Sequence, residues 1–256
     1  MIETPTYPES DSVVLPSGAV ACCSEITGQD QAALSSRNAD RNGSISAVLS
    51  RRVTLDGEKL SSEEWNAALE CDRVVALVHL RRVSFGNEVE VDVRCQECDA
   101  KTRHIVEFTE EDYRRFTPPP HGSRRRIIIE ARDRHFAADV RTGEVDERAI
   151  KARGERDVLT LLRARRLQVV DGPDAKLDQE VRRPLNPAML TAREIAVIER
   201  ALMAADAMPD FSVEIECPAC GAVAKVDARA TPGFFFPHLI EEATPARTPS
   251  SSPTEA

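Results

Sequence analysis

Strict alternation of apolar and polar residues occurs in two short stretches that lie far apart in the chain. Every second residue is apolar over 89–93 and again over 211–215, which is the pattern of a half-buried β-strand. Each stretch leads into a Cys-x-x-Cys sequence, and a second short apolar stretch follows, at 105–108 and at 223–226. The sequence therefore predicts two β-hairpins, each with a Cys-x-x-Cys turn at its tip.

The residues before the first of these turns predict a further hairpin followed by helices. Apolar residues on either side of a Pro-Ser-Gly turn predict strands within 13–23, and helical segments are predicted around 32–34 and 44–51. Residues 61–64 have the Ser-x-x-Glu form of a capping box, which marks a helix start. We expect one long helix to run from there to about residue 83.

A second series of elements repeats this order before the second Cys-x-x-Cys turn. The sequence predicts strands within 127–138 and helices at 146–153 and 157–166. A further helix is predicted to begin at the Thr-x-x-Glu capping box of 191–194. The two series predict the same kinds of element in the same order.

Two dipeptides recur at one spacing, which indicates an internal duplication. Thr-Gly occurs at 27 and 142, and Asp-Gly at 56 and 171, so both recur after 115 residues. The sequence thus predicts an α+β fold of two homologous halves, each with a β-hairpin, helices and a Cys-x-x-Cys hairpin. The predicted parts are a disordered arm, a first half, a linker, a second half and a disordered tail, with the bounds 1–12, 13–116, 117–123, 124–238 and 239–256.

Four cysteines have the spacing of metal ligands, because a tight turn of two residues directs both sulfurs at one ion. They are Cys95, Cys98, Cys217 and Cys220. A site of four thiolates needs two such pairs, so we predict one structural Zn²⁺ that is shared by the two halves. The alternatives are redox pairs or turns without a ligand. A redox pair usually opens a helix after a strand, whereas these pairs lie between two strands.

The other cysteines and the lack of a long apolar stretch favour a soluble cytoplasmic protein. Cys22, Cys23 and Cys71 lack metal-ligand spacing and are expected to be small buried residues. An odd total of seven cysteines fits a reducing compartment better than a disulfide framework. No stretch approaches the roughly 18 apolar residues of a membrane span, and the first residues lack the features of a signal peptide. The formal net charge of −9 disfavours nucleic-acid binding.

No familiar catalytic or nucleotide-binding signature occurs in the sequence, so we predict that the protein is not an enzyme. His79 lies in an apolar helical stretch and is expected in the core. Phe234, Phe235 and Phe236 either seal a core or bind a partner. The Arg124–Arg126 run is expected to be solvated, with an acidic partner as the alternative.

Several short motifs, taken in their order and spacing, resemble the T-even phage baseplate hub assembly chaperone family. The motifs are Leu15-Pro16-Ser17-Gly18, Glu25-Ile26-Thr27-Gly28-x-Asp30, Asp72-Arg73, Arg82-x-Ser84-Phe85-Gly86, the two Cys-x-x-Cys turns, Thr142-Gly143 and Phe235-Phe236-Pro237. The similarity spans nearly the whole chain between its two ends. The second half is a looser copy, because its first hairpin lacks the Leu-Pro-x-x-Gly sequence.

The resemblance implies a non-enzymatic assembly factor of contractile phage tails or related injection systems. Its implied partners are baseplate hub, spike or tape-measure proteins. The net charge and the lack of a long apolar stretch predict that neither nucleic acid nor a membrane is a partner. Two alternatives remain open at the level of the sequence. One is a permanent structural subunit of the baseplate, and the other is a zinc-ribbon adaptor that binds nucleic acid or a polymerase.

Overall fold

The computed structural model describes six segments of the chain, which are 10–35, 41–108, 118–132, 134–151, 158–170 and 185–227. They form an α+β protein in which small antiparallel sheets and helices alternate, as the sequence predicts. Among the described residues, no helix is both long and apolar enough to cross a membrane. The phenylalanines at 234–236 lie outside the described residues.

The first series of elements begins with a four-stranded antiparallel sheet in which the strands follow their order in the chain. Its strands are β1 (Ser10–Val14), β2 (Val20–Ser24), β3 (Val53–Leu55) and β4 (Glu58–Lys59). Helices α1 (Gly28–Ser35) and α2 (Arg41–Arg52) connect β2 to β3. Because β1 begins at Ser10, residues 10–12 belong to a paired strand and not to the arm of 1–12 that the sequence predicted.

The long helix expected over 61–83 is two helices. The capping box is present, but it starts only a short helix, α3 (Ser62–Ala67). The backbone is extended at Ala68 (φ −68°, ψ 159°), and α4 (Glu70–Phe85) begins after Leu69 without a side-chain cap. Leu69 instead forms an isolated β-bridge with Thr142. A contact with the second series of elements therefore interrupts the helix, which local sequence could not predict.

The remaining strands and helices follow the predicted order, apart from a strand at Gln168–Val170 that the sequence does not predict. The strands are β5 (Glu88–Arg94), β6 (Lys101–Glu107), β7 (Arg126–Ala131), β8 (Arg134–Asp139), β9 (Gln168–Val170), β10 (Ser212–Glu216) and β11 (Val223–Asp227). The helices are α5 (Gly143–Lys151), α6 (Val158–Ala164) and α7 (Ala192–Asp206). β5 pairs with β6 and β10 with β11, as predicted, and β7, β8 and β9 form a three-stranded sheet.

Several elements of the first series have counterparts in the second in the same order and at similar spacings, although β4 and α3 have none among the described residues. β3 and β9 lie 115 residues apart, as do the first residues of α1 and α5. α4 and α7 begin 122 residues apart, which is also the spacing of the two Cys-x-x-Cys turns.

Both Cys-x-x-Cys hairpins pack into one hydrophobic cluster around α4. Val89 and Val91 of β5 belong to this cluster together with Phe211 and Ile215 of the second hairpin. The ring of Phe108 meets that of Phe211 edge to face, with a centroid distance of 5.8 Å. A smaller cluster lies between the second sheet and α7. The main core is therefore built by residues from both ends of the chain.

A third, small cluster joins the two series of elements. It contains Leu69 and Cys71 from the first series and Val140 and Ala205 from the second. Polar contacts reinforce this junction, since the N–H of Glu70 donates to the carbonyl of Arg141 at 2.9 Å.

Candidate metal centre

The two Cys-x-x-Cys turns have the same hydrogen bonds. In the first, the N–H of Cys95 donates to the carbonyl of Ala100 (2.9 Å) and the N–H of Asp99 donates to the carbonyl of Cys95 (3.0 Å). Residues 122 positions later form the same two bonds in the second turn, each at 2.8 Å. These bonds fold each turn so that both of its thiols point to one side.

Both turns require a left-handed backbone at the residue after the second cysteine. Asp99 has φ 63° and Gly221 has φ 75°. Glycine adopts this conformation without steric cost, and Asp is among the residues that tolerate it best. The residue types after Cys98 and Cys220 are therefore suited to a knuckle turn.

The fold brings the four predicted ligands together. The Sγ atoms of Cys95 and Cys220 lie 3.6 Å apart, and those of Cys98 and Cys217 lie 3.7 Å apart. All four Sγ atoms lie within 4.8 Å of one another. A tetrahedron with Zn–S bonds of about 2.3 Å has edges of about 3.8 Å. Two of the separations are close to that edge length, and the cluster of four thiols is compatible with a metal site.

In each of the two short Sγ–Sγ distances, one cysteine belongs to the first turn and the other to the second. A disulfide needs an S–S distance of about 2.05 Å, and the cross-turn separations are much longer. Cys95 and Cys217 are buried, whereas Cys98 and Cys220 are exposed. The site therefore lies at the surface end of the paired hairpins, and an ion held by all four sulfurs would keep no open coordination position.

Neighbouring groups shift the pKa values of two of the thiols in opposite directions. The backbone N–H groups of Cys98 and Glu97 donate to the Cys95 sulfur and lower its pKa to about 7. The N–H of Ala222 has the same effect on Cys220, but the neighbouring thiols outweigh it and raise the pKa of Cys220 to about 12. Several thiolates cannot form side by side without a compensating charge, and a divalent cation supplies that charge.

A cleft of about 290 Å³ opens between the hairpins beside the cysteines. Val93 and Thr102 line it from the first hairpin, and Ile215 and Ala224 from the second.

The prediction for the other cysteines is confirmed at two positions and wrong at one. Cys23 and Cys71 are buried, and burial raises the pKa of each thiol to about 12, which makes both poor nucleophiles. Cys22 is exposed. It alternates with buried Ala21 and Cys23 along β2, and neighbouring residues of a strand face opposite sides of the sheet.

Among the described residues, no histidine joins the four thiols, and His238 lies outside the part of the chain that the structure describes. His79 is buried in α4, as predicted, and its Nε2 lies 3.6 Å from the Asp11 carboxylate. The ring of His104, on β6, shares a hydrogen bond of 2.8 Å with the hydroxyl of Thr102.

Residues of the motifs that carry the family resemblance lie in buried polar contacts of the first series. The N–H of Ser17 in the Leu-Pro-Ser-Gly turn donates to the Asp72 carboxylate at 2.9 Å, which attaches that turn to α4. The hydroxyl of Ser84 accepts from the N–H of Ile26 at 3.0 Å. These contacts therefore have a structural role.

Sequence reasoning missed a group of arginines around Asp139. Arg126, Arg148 and Arg166 lie in separate elements of the second series and approach this one carboxylate. The abundance of arginine was visible in the sequence, but the pairing depends on the fold.

Comparison with known proteins gives no relative, since the chain matches no protein-family model, no curated protein and no solved structure.

Proposed function

We propose that the protein is a non-enzymatic assembly chaperone for the baseplate hub of a contractile phage tail or a phage-tail-like injection system. The observation that carries the non-catalytic part is the set of four converging thiols, because a metal ion bound by all four has no position left for a substrate. The family resemblance of the motifs supports the assembly role.

The ion in this proposal is Zn²⁺, held by Cys95, Cys98, Cys217 and Cys220. Four thiolates at tetrahedral spacing match the preference of structural zinc. Because each turn supplies two ligands, the ion ties residues near 95 to residues near 217. Structural zinc sites contribute on the order of 10 kcal/mol of apparent binding energy, so the ion would be a major source of stability.

An internal duplication accounts for the two knuckles. It is supported by the common order of the elements and by the recurring spacings of 115 and 122 residues. On this view, each half contributes one hairpin to a shared centre.

A zinc-ribbon adaptor is the second candidate, and the paired knuckles favour it. The formal net charge of −9 opposes it, since nucleic-acid affinity depends mainly on cationic contacts with phosphates. A permanent baseplate subunit needs the same kind of partner surface as a chaperone, and only its presence in finished particles distinguishes the two.

Mass spectrometry of proteins that co-purify with this chain from its native cells tests the proposal. Hub, spike or tape-measure proteins are expected in the soluble pool, with this chain missing from assembled particles. Cys217→Ser should abolish the co-purification by removing a zinc ligand, whereas Cys22→Ser, which changes an exposed cysteine outside the centre, should retain it. Recovery of the chain in particles would make it a structural subunit, and recovery of polymerase or nucleic acid would favour the adaptor.

A further inference from the structure

Three guanidinium groups converge on one buried carboxylate in the second series of elements. Asp139, the last residue of β8, is only 5% exposed. Its Oδ2 accepts hydrogen bonds from Nη2 of Arg148 at 2.9 Å and from Nε of Arg166 at 2.6 Å. Its Oδ1 lies 3.9 Å from Nη1 of Arg126. We call these four residues the Asp139 cluster.

The fold holds the arginines of the Asp139 cluster in place. Arg126 begins β7, Arg148 lies on α5, and Arg166 follows α6 in a left-handed turn with φ 48°. Nε of Arg148 also donates to the carbonyl of Ala164 at 2.9 Å, and Nη2 of Arg126 donates to the carbonyl of Arg166 at 3.3 Å. Contacts with the backbone thus orient two of the three guanidinium groups.

Positive charge exceeds negative charge at this surface. Besides Asp139, the described residues offer the cluster one more carboxylate, that of Glu144, at 3.8 Å from Arg148. Arg124 and Arg125 precede the cluster and are exposed. The side chain of Arg166 is 57% exposed. A cationic surface therefore lies on a chain whose formal net charge is −9.

The positive charge of Arg126 is only partly neutralised by the groups around it. Its Nε is buried and donates to no acceptor among the described residues. Burial lowers the pKa of Arg126, and the nearby charge of Arg166 lowers it further, against the opposing effect of Asp139. An added anion would relieve this imbalance.

We infer that the Asp139 cluster, with Arg124 and Arg125 at its edge, is a docking surface for an acidic segment of a partner protein. Carboxylate is the group that these guanidinium groups already bind at Asp139, and the planar guanidinium matches carboxylate geometry. A nucleic-acid backbone carries a dense line of charge that the acidic chain repels at long range. A short acidic segment carries fewer charges. That the partner is a protein rests on the proposed function.

The test uses the intact zinc-loaded chain and a fluorescently labelled peptide of ten glutamates, with binding followed by anisotropy. The double variant Arg126→Gln/Arg166→Gln should bind the peptide about tenfold more weakly than the natural chain, which corresponds to the loss of a modest charge contribution. The matched control Arg193→Gln/Arg200→Gln removes the same charge from exposed positions of α7 and should retain the affinity. Equal weakening in both variants, or none in the first, would overturn the inference.

Two further measurements keep the result decisive. The double variant Arg124→Gln/Arg125→Gln changes two exposed side chains at the edge of the cluster and should weaken peptide binding without lowering the unfolding midpoint or the zinc content. A labelled single-stranded DNA of ten nucleotides tests the other class of partner, and tighter binding of DNA than of peptide at the same cluster would contradict the inference. Peptide binding at the cluster without co-purifying tail proteins would refute the proposed function and leave the docking surface standing.

Discussion

Asp30 is fully buried, and its charge is compensated entirely by nearby groups. The backbone N–H and the hydroxyl of Thr27 donate to Oδ2, at 3.0 and 2.9 Å. Nε of Arg51 donates to Oδ1 at 2.8 Å, and Nε of Arg52 donates to Oδ2 at 2.6 Å. Burial alone would raise the pKa of Asp30, but these hydrogen bonds lower it to about 2. The Thr-Gly-x-Asp motif therefore ties the start of α1 to the end of α2.

Asp30→Asn should destabilise the protein by about 2 kcal/mol at pH 7, since the pKa lies almost two units below its ordinary value. A lowered pKa in the folded state means that the contribution is complete above about pH 4 and is lost as the pH falls towards 2. Urea unfolding at several pH values should show the difference between the two proteins shrinking over that range. Asp92→Asn, which breaks an exposed ion pair with Arg103, is the control and should cost under about 1 kcal/mol. A difference independent of pH would contradict the assigned role of the charge.

The two Thr-Gly dipeptides occupy equivalent positions, but their glycines face different surroundings. A Cβ at Gly143 would lie 1.9 Å from Nη1 of Arg73 and 2.3 Å from Oδ1 of Asn66. Arg73 is almost fully buried and donates to the Glu70 carboxylate at 2.8 Å, so it cannot move aside. A Cβ at Gly28 would meet no atom within 4 Å. Only the second glycine is required for the close approach of the two series.

Gly143→Ala should therefore destabilise the protein by about 3 kcal/mol, as overpacking of a buried site does. Gly28→Ala should be close to neutral, because it adds the same methyl group at the equivalent helix start in open space. Thermal unfolding of the two variants under identical conditions measures the difference. Similar midpoints would mean that α5 and Arg73 do not pack as described.

At the scale of elements, local signals identified strands and helix starts but not their interruptions. Both capping boxes form as the sequence predicts, at Ser61 and at Thr191. The first starts a helix of six residues because the bridge between Leu69 and Thr142 follows it. The hydrogen bonds of a cap form between residues three positions apart, so a short sequence pattern predicts them. The end of α3 instead depends on the bridge between Leu69 and Thr142, which lie 73 residues apart.

Thr191→Ala should destabilise the protein by about 1 kcal/mol, the ordinary contribution of an N-cap side chain. The Thr191 hydroxyl accepts from the N–H of Glu194, whose carboxylate accepts from the N–H of Thr191 and from Arg134. Thr191→Ser keeps the hydroxyl and should remain close to the natural stability. Urea unfolding of both variants checks this, and an equal loss in the serine variant would show that packing of the threonine methyl group dominates over the cap.

At the scale of the whole molecule, α4 and α7, which each precede a Cys-x-x-Cys hairpin, have unequal environments. α4 is buried on nearly every side, whereas α7 leaves Val197 and Met203 exposed. The reason is that both Cys-x-x-Cys hairpins pack into the cluster around α4. The repeated pattern of alternating apolar residues followed by Cys-x-x-Cys predicted the two hairpins. It also predicted the four candidate ligands, because few sites other than metal sites and redox pairs need two cysteines at this spacing. The sequence could not predict that the two hairpins share one core, or that three arginines pair with Asp139. Each of these features depends on contacts between residues that are distant in the chain.

X-ray absorption at the zinc edge, on protein purified in reductant and of known metal content, tests the shared four-thiolate centre most directly. We expect one zinc per chain with four sulfur ligands at about 2.3 Å, and Cys217→Ser should lose the metal or replace one sulfur by a lighter ligand. Substoichiometric zinc in the natural chain, or two sulfurs with nitrogen or oxygen ligands, would contradict a centre built from both hairpins.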